Sequence, residues 1–162
     1  ISDMNEEELA AFRQEHMSFI FQSYNLLPSM TAVENVAMPL MFKGMERKKR
    51  EAMAEEMLKR VGLSHRLHHY PSQMSGGQQQ RAGIARAFVS RPEVVFADEP
   101  TGNLDSKSTK EIMQILEGLH RSGRTVIIIT HDNEIAEQVK RVIYIRDGRI
   151  EQDYLNEEKQ GE

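Results

Sequence analysis

The pattern of apolar and polar positions changes character near the middle of the chain. Over residues 25–90 the apolar positions recur at helical spacing, and this stretch predicts mostly helix. Thr31 with Glu34 three residues on forms a capping box that opens "TAVENVAMPLMF". A charged helix from about Glu46 to Val61 then carries Met53, Met57 and Val61 on one face, with Gly62 as its stop. Ahead of this region, Asn5 and Glu8 cap a short helix in "MNEEELAAFRQEH", and "MSFIFQ", residues 17–22, predicts a strand. Beyond residue 90, "EVVFADEP" (93–100) and "TVIIIT" (125–130) are unbroken apolar runs of the kind found in strands buried on both faces. Between them Ile112, Ile115, Leu116 and Leu119 fit the period of a helix that Gly123 ends. Strand, helix and strand of this length predict a right-handed crossover in a parallel sheet, so the fold class is α/β. "RVIYIRDGRIEQD" reads as a hairpin turning at Asp147-Gly148, and the polar tail after Asp153 is expected to fray.

Composition narrows the class without pointing to a chemistry. With 162 residues, 39% of them hydrophobic and 28% charged, the chain is expected to form about one globular domain with a real core. Its formal net charge of -4 argues against a nucleic-acid partner, because such binders carry a basic face. One basic run, "KGMERKKR" over Lys43–Arg50, is followed at once by Glu51, Glu55 and Glu56 and reads as a solvated helix face. Cysteine is absent, which excludes disulfides and thiolate metal sites and fits a reducing compartment. No stretch approaches the roughly 18 consecutive apolar residues of a membrane span, so any membrane role is expected to come through a partner.

Candidate chemistry gathers where the apolar runs end. Asp98 and Glu99 close "VVFA" and precede Pro100, and ligand sites of α/β sheets lie beyond the carboxyl ends of parallel strands. Successive strand residues point to opposite sides, so the pair can divide the work. One acid would hold a hydrated Mg²⁺ while the other orients or deprotonates a water. The alternative is a pair of exposed turn acids. His131 stands at the equivalent end of the next strand, and it converges with the acids if the two strands are neighbours or one strand apart. In "QMSGGQQQRAGIARA", residues 73–87, Ser75 and Gln78 form a capping-box pair, which makes Ser75 the N-cap of a helix burying Ala82, Ala85, Phe88 and Val89. A glycine-rich helix N-terminus offers free amides and partial positive charge to an anion. No Lys follows these glycines, so the loop would supplement another phosphate site. The alternative is a capped core helix with a glycine-rich start.

Taken together, these segments resemble the ATP-binding cassette (ABC) family. "MSGGQQQR" is similar to the family's signature motif, with Met74 where Leu is usual, and "VVFADEP" to its Walker B strand. "GNLD" (102–105) resembles the D-loop, "THD" around His131 the switch histidine, and "FIFQ" ending at Gln22 the Q-loop. The motifs stand in the family's order and span essentially the whole chain. "EPTGNLDS" with "NLLPSMTAVENVAMPL" most resembles ATPases serving lipoprotein-release, macrolide-export and antimicrobial-peptide transporters. The resemblance implies a P-loop-type, mostly parallel core with an inserted helical subdomain. Residues 1–24 would end the N-terminal core segment, 25–90 form the helical subdomain, 91–153 the α/β core and 154–162 a polar tail. It implies that Asp98 holds Mg²⁺ through water, Glu99 is the general base, His131 contacts the γ-phosphate of ATP, and Gln22 links metal and water to the membrane subunit. Ser75, Gly76, Gly77 and Gln78 would cap the γ-phosphate of ATP held mainly by a second protomer, and Asp105 would organise that interface. The implied partners are a second ATPase subunit and a transmembrane permease, which would place the protein at the inner face of the cell membrane.

One part of such an enzyme is missing from these residues. No Gly-Lys pair occurs, so there is no G-x-x-x-x-G-K-[ST] loop to cradle phosphates. "GLHRSGRT", Gly118–Thr125, has the spacing with Arg for Lys, but a helix precedes it and a strand follows, the reverse of a P-loop. The P-loop and the family's adenine-stacking aromatic residue are therefore expected ahead of Ile1. The chain by itself is expected neither to bind ATP tightly nor to hydrolyse it. The strand leading to the P-loop is expected beside the strand ending at Asp98, where its absence would leave unpaired backbone and apolar surface and favour self-association or repacking. The alternatives are a soluble ABC ATPase acting on ribosomes or DNA, and a catalytically silent binding module.

Overall fold

The apolar runs form three short strands, Met17–Ile20 (β1), Val94–Asp98 (β2) and Thr125–Ile129 (β3), in a computed structural model that describes residues 3–156. They pair in parallel in the order β1-β2-β3, with Ile20 beside Ala97 and Ala97 beside Ile128. Two compact units result, residues 1–129 and residues 130–162.

The two faces of this sheet differ. Ile20, Val95 and Ala97 share one face and are buried. Phe19, Phe96 and Ile127 share the other in register, and there Phe19 is 46%, Ile127 40% and Ile129 51% exposed. The expectation of strands buried on both faces is thus corrected: helices pack against the sheet, but this face stays open among the described residues. Phe19 stacks on Phe96 and Phe21, with centroids 5.4 and 6.1 Å apart, which shields part of the open face. A second correction concerns strand order. β2 is paired along both edges, so no gap for a further strand lies beside the strand ending at Asp98; the unpaired edges are those of β1 and β3.

Capping chemistry sets the helix starts as the sequence predicts. Asn5 and Glu8 cap α1 (Glu6–His16), Thr31 and Glu34 cap α2 (Ala32–Phe42), and the capping box is reciprocal in each. Helix α3 (Arg47–Arg60) lacks a side-chain cap; it buries Ala54, Met57 and Leu58 and ends at Gly62, whose φ of +75° suits a residue without Cβ. Arg47, Lys48 and Lys49 of the basic run are exposed, and Arg47 bonds Glu51 one turn on, as a solvated face should. Between α1 and α2, the strand expected through Gln22 stops at Ile20. The Phe21 carbonyl accepts the Tyr24 amide, and Tyr24 and Asn25 adopt left-handed backbone, φ 60° and 49°, which turns the chain out of the sheet. Asn35 organises the loop that follows. Fully buried, it accepts from the Leu27 amide and donates to the carbonyls of Leu27, Met30 and Thr31, so none of its polar groups is stranded.

Helix α4 (Gly76–Phe88) buries Ala82, Ala85 and Phe88, and with Val89 as its C-cap also buried, the predicted face holds. Helix α5 (Ser106–Arg121) crosses from β2 to β3 with Ile112, Met113, Leu116 and Leu119 buried, and Gly123 at φ +92° ends it. α4 packs on α2, α3, β1 and α5, which makes it the central helix of the larger unit.

The smaller unit holds a one-turn helix α6 (Asn133–Ala136) and a hairpin of β4 (Arg141–Arg146) and β5 (Arg149–Leu155). Asp147 and Gly148 turn it with φ 48° and 73°, the left-handed pair that a two-residue hairpin loop requires. Arg141 grips Asp153 through two bonds of 2.8 and 2.7 Å, and Val142 pairs with Tyr154. The strand therefore continues past Asp153 to Leu155, where fraying was expected, because that two-point pair and the ladder hold it; residues 157–162 lie outside the described residues.

Candidate functional site

The carboxyl end of β2 carries the predicted acids in unlike settings. Asp98 is exposed and stands in register with Ile129 at the end of β3, so the two strands whose ends were to be compared are immediate neighbours. Glu99 is half-buried and left-handed, with φ 43°, a region that a glutamate rarely enters and that typically costs about 1–3 kcal/mol. Its backbone is held from two sides. The Glu99 amide donates to the Ile129 carbonyl at 2.9 Å, and its carbonyl accepts the Gly102 amide at 3.1 Å. The turn thereby directs Glu99 away from the direction that strand continuation would give it. His131 lies at the start of the smaller unit, just after Thr130, exposed and next to an Asp132 whose amide donates to the Thr130 hydroxyl at 3.1 Å.

Ser75 caps α4 as predicted: its hydroxyl accepts the Gln78 amide at 3.3 Å, and Gln78 returns a bond to the Ser75 amide at 3.1 Å. The other first-turn amides point outward with the positive end of the helix dipole, an arrangement suited to an anion. Both glycines also have a packing reason. A Cβ on Gly76 would stand 2.7 Å from the Tyr24 hydroxyl, and one on Gly77 would stand 3.0 Å from the Ser108 hydroxyl. The loop after β1 and the start of α5 thus press directly on the glycine turn.

Asp105 and Gln22 complete the local picture. Asp105 is the N-cap of α5, accepting the Ser108 amide at 2.7 Å; that backbone bond, reinforced by the Ser108 side chain, holds its carboxyl below the usual carboxylate range. Gln22 lies against the 102–105 turn. Its Nε2 donates to Asn103 Oδ1 at 3.4 Å, Asn103 returns a bond to the Gln22 carbonyl at 3.3 Å, and a Cβ on Gly102 would meet Gln22 Nε2 at 2.7 Å. In the larger unit, Gln22, the acid turn and the start of α5 therefore adjoin.

Two residues of α4 that pattern reading passed over join these segments. Arg86 donates to the carbonyls of Asn25 and, at 3.0 Å, Tyr24, pinning both left-handed residues after Gln22; burial pushes its guanidinium pKa down from the usual arginine value. Gln80 is fully buried and donates to the Pro100 carbonyl at 2.6 Å, directly after Glu99. The signal was present in the chain: both are polar residues set within the alanine-rich stripe of α4, where an apolar residue would be cheaper to bury.

No group of three or more His, Cys, Asp and Glu side chains that could enclose a metal occurs among the described residues. What the strand end does offer, an exposed carboxylate with a carboxamide from the adjoining loop, fits a Mg²⁺ that keeps most of its water and takes few protein ligands. No helix of the described residues is long and apolar enough to cross a membrane.

Comparison with known proteins gives this arrangement a context. The family model described as "ABC transporter" matches residues 2–102. The chain is 49% identical over 162 residues to the macrolide export ATP-binding/permease protein MacB of Hyphomonas neptunium, covering 100% of this chain and 25% of that protein. It is 48% identical to an uncharacterized ABC transporter ATP-binding protein of Thermotoga maritima, covering 93% of this chain and 64% of the relative. The chain thus spans about a quarter of the length of the first and under two thirds of the second. Among solved structures it is similar to the ATP-binding cassette MJ0796, in a dimeric post-hydrolysis state bound to ADP and Pi. The identity is 42% and the TM-score 0.81, over 95% of this chain and 68% of that one.

Proposed function

The chain belongs to the ABC transporter family, and from that premise we propose that it supplies the hydrolytic half of a shared ATP site in a subunit that powers a membrane exporter. The observation that carries the proposal is the acid turn: an exposed Asp98 ends the central strand of a parallel sheet, and Glu99 is held beside it in a left-handed backbone from two sides. Glu99 takes a proton from a water as that water attacks the γ-phosphate of ATP, and ADP and phosphate leave. His131 contacts the γ-phosphate. Asp98, with a carboxamide oxygen of Gln22, would hold Mg²⁺ through water; bound there with the nucleotide, the ion neutralises phosphate charge. Ser75, Gly76, Gly77 and Gln78 present the α4 N-terminus to ATP held mainly by a second copy, and Asp105, by capping α5, keeps the 102–105 turn in shape for that contact.

Residues 25–90 serve as the helical subdomain that a permease moves against, and the permease brings the protein to the inner face of the membrane. Relatives named for macrolide export support an export role, and the acidic net charge speaks against a nucleic-acid partner. With no Gly-Lys pair among these 162 residues, the chain by itself is inactive, and the tests below use the full-length protein.

Glu99→Gln is the direct test. A positioned general base contributes about 10²–10⁴ in rate, so ATP turnover should fall by that factor while ATP binding, measured by fluorescent-nucleotide titration, persists. Turnover within a factor of two of the unmodified protein contradicts the role of Glu99.

A further inference from the structure

Gln80 is hard to explain as packing. It sits on α4 between the half-buried Gln79 and Arg81, and it is itself 0% exposed. Its Nε2 bonds the Pro100 carbonyl at 2.6 Å, but its Oε1 is shielded from solvent with no partner among the described residues. A stranded buried acceptor is costly, and an apolar side chain of like shape would avoid that cost. The residue therefore carries a penalty for the sake of a single bond, and that bond ends on the peptide that follows Glu99.

The position of that bond matters because the Glu99 turn is anchored in sequence. The Glu99 amide is tied to β3 through Ile129 and its carbonyl to Gly102. The next carbonyl, that of Pro100, is tied to α4 through Gln80. Three consecutive polar groups of the backbone are thus fixed, from β3, from α4 and within the turn itself, around a residue whose φ of 43° is unfavourable for a side chain with a Cβ. Gln80 is also about one turn and a half from Ser75, on the same helix whose N-terminus, in the reading given above, faces the ATP held mainly by a second copy.

We propose that Gln80 is a positioning residue for the general base: it ties the Pro100 carbonyl to α4 and so holds the carboxylate of Glu99 in its working direction. The proposal rests on Glu99 acting as the base. Gln80, fully buried, acts through the direction of Glu99. Misplacing a reacting group by about 1 Å can cost on the order of 10²-fold in rate, so the loss belongs in kcat.

The test uses the full-length protein with Gln80→Met, which keeps the length of the side chain and removes the amide. Turnover should fall on the order of 10-fold to 100-fold, with KM for ATP and nucleotide affinity unchanged within a factor of two. In the Glu99→Gln background the same substitution should have no further effect on residual turnover, because the group it positions is gone. A role confined to stability would lower turnover in both backgrounds alike. Should Gln80→Met fail to fold, Gln80→Leu replaces it under the same readings. Unchanged kcat, or an equal loss in both backgrounds, overturns the proposal while the role of Glu99 stands. Undiminished turnover in Glu99→Gln overturns both.

Discussion

Asp105 shows how much a single side chain can be read for. As N-cap of α5 it accepts the Ser108 amide, and this bond lowers its pKa from 3.8. A carboxyl whose folded pKa lies below its unfolded value stabilises the fold fully above the unfolded value and loses that contribution as pH falls through the folded one. The Ser108 amide resonance should therefore titrate with a midpoint below the ordinary Asp value, and a midpoint at or above it would contradict the cap. Caps of this kind were legible in the sequence because both partners lie within three residues: Asn5 with Glu8, Thr31 with Glu34, Ser75 with Gln78. The partners of Gln80 and Arg86 were not, because they stand 20 and 61 or 62 residues away and only the fold brings them together.

At the scale of elements, α4 does most of the joining. Its glycine turn receives Tyr24 and Ser108, Gln80 reaches the acid turn, Arg86 holds the loop after Gln22, and Arg81 pairs with Glu111 of α5 at 3.3 Å. The strands and the longer helices were legible from period and caps, but the one-turn helix α6 was not. Strand burial was not, since an unbroken apolar run such as "TVIIIT" looks alike whether one face or both are covered, and here Ile127 and Ile129 are exposed. The glycines invite a test that separates packing from ligand binding. Gly76→Ala puts a methyl against the Tyr24 hydroxyl and should lower stability by about 1 kcal/mol, an overpacking penalty at the low end because the obstacle is the tip of a side chain. Adding Tyr24→Phe removes the obstructing oxygen and should restore the urea midpoint. Turnover should stay low if the helix N-terminus also needs close approach of a phosphate. A midpoint that does not recover would place the clash elsewhere.

At the scale of the whole molecule, the larger unit leaves one sheet face and two sheet edges open among the described residues. The acid turn and the α4 N-terminus lie on one chain, yet in the proposed function they serve different ATP molecules, each site drawing Glu99 from one copy and Ser75 from the other. This division can be tested by mixing. Full-length protein carrying Glu99→Gln and full-length protein carrying Ser75→Arg should each be inactive as homodimers. A heterodimer of the two, isolated by paired affinity tags, keeps one site with Glu99 and Ser75 both intact, and it should recover ATP turnover that neither variant shows alone. A heterodimer as inactive as its parents would mean that Ser75 and Glu99 serve the same ATP within one copy, and the shared site would be wrong.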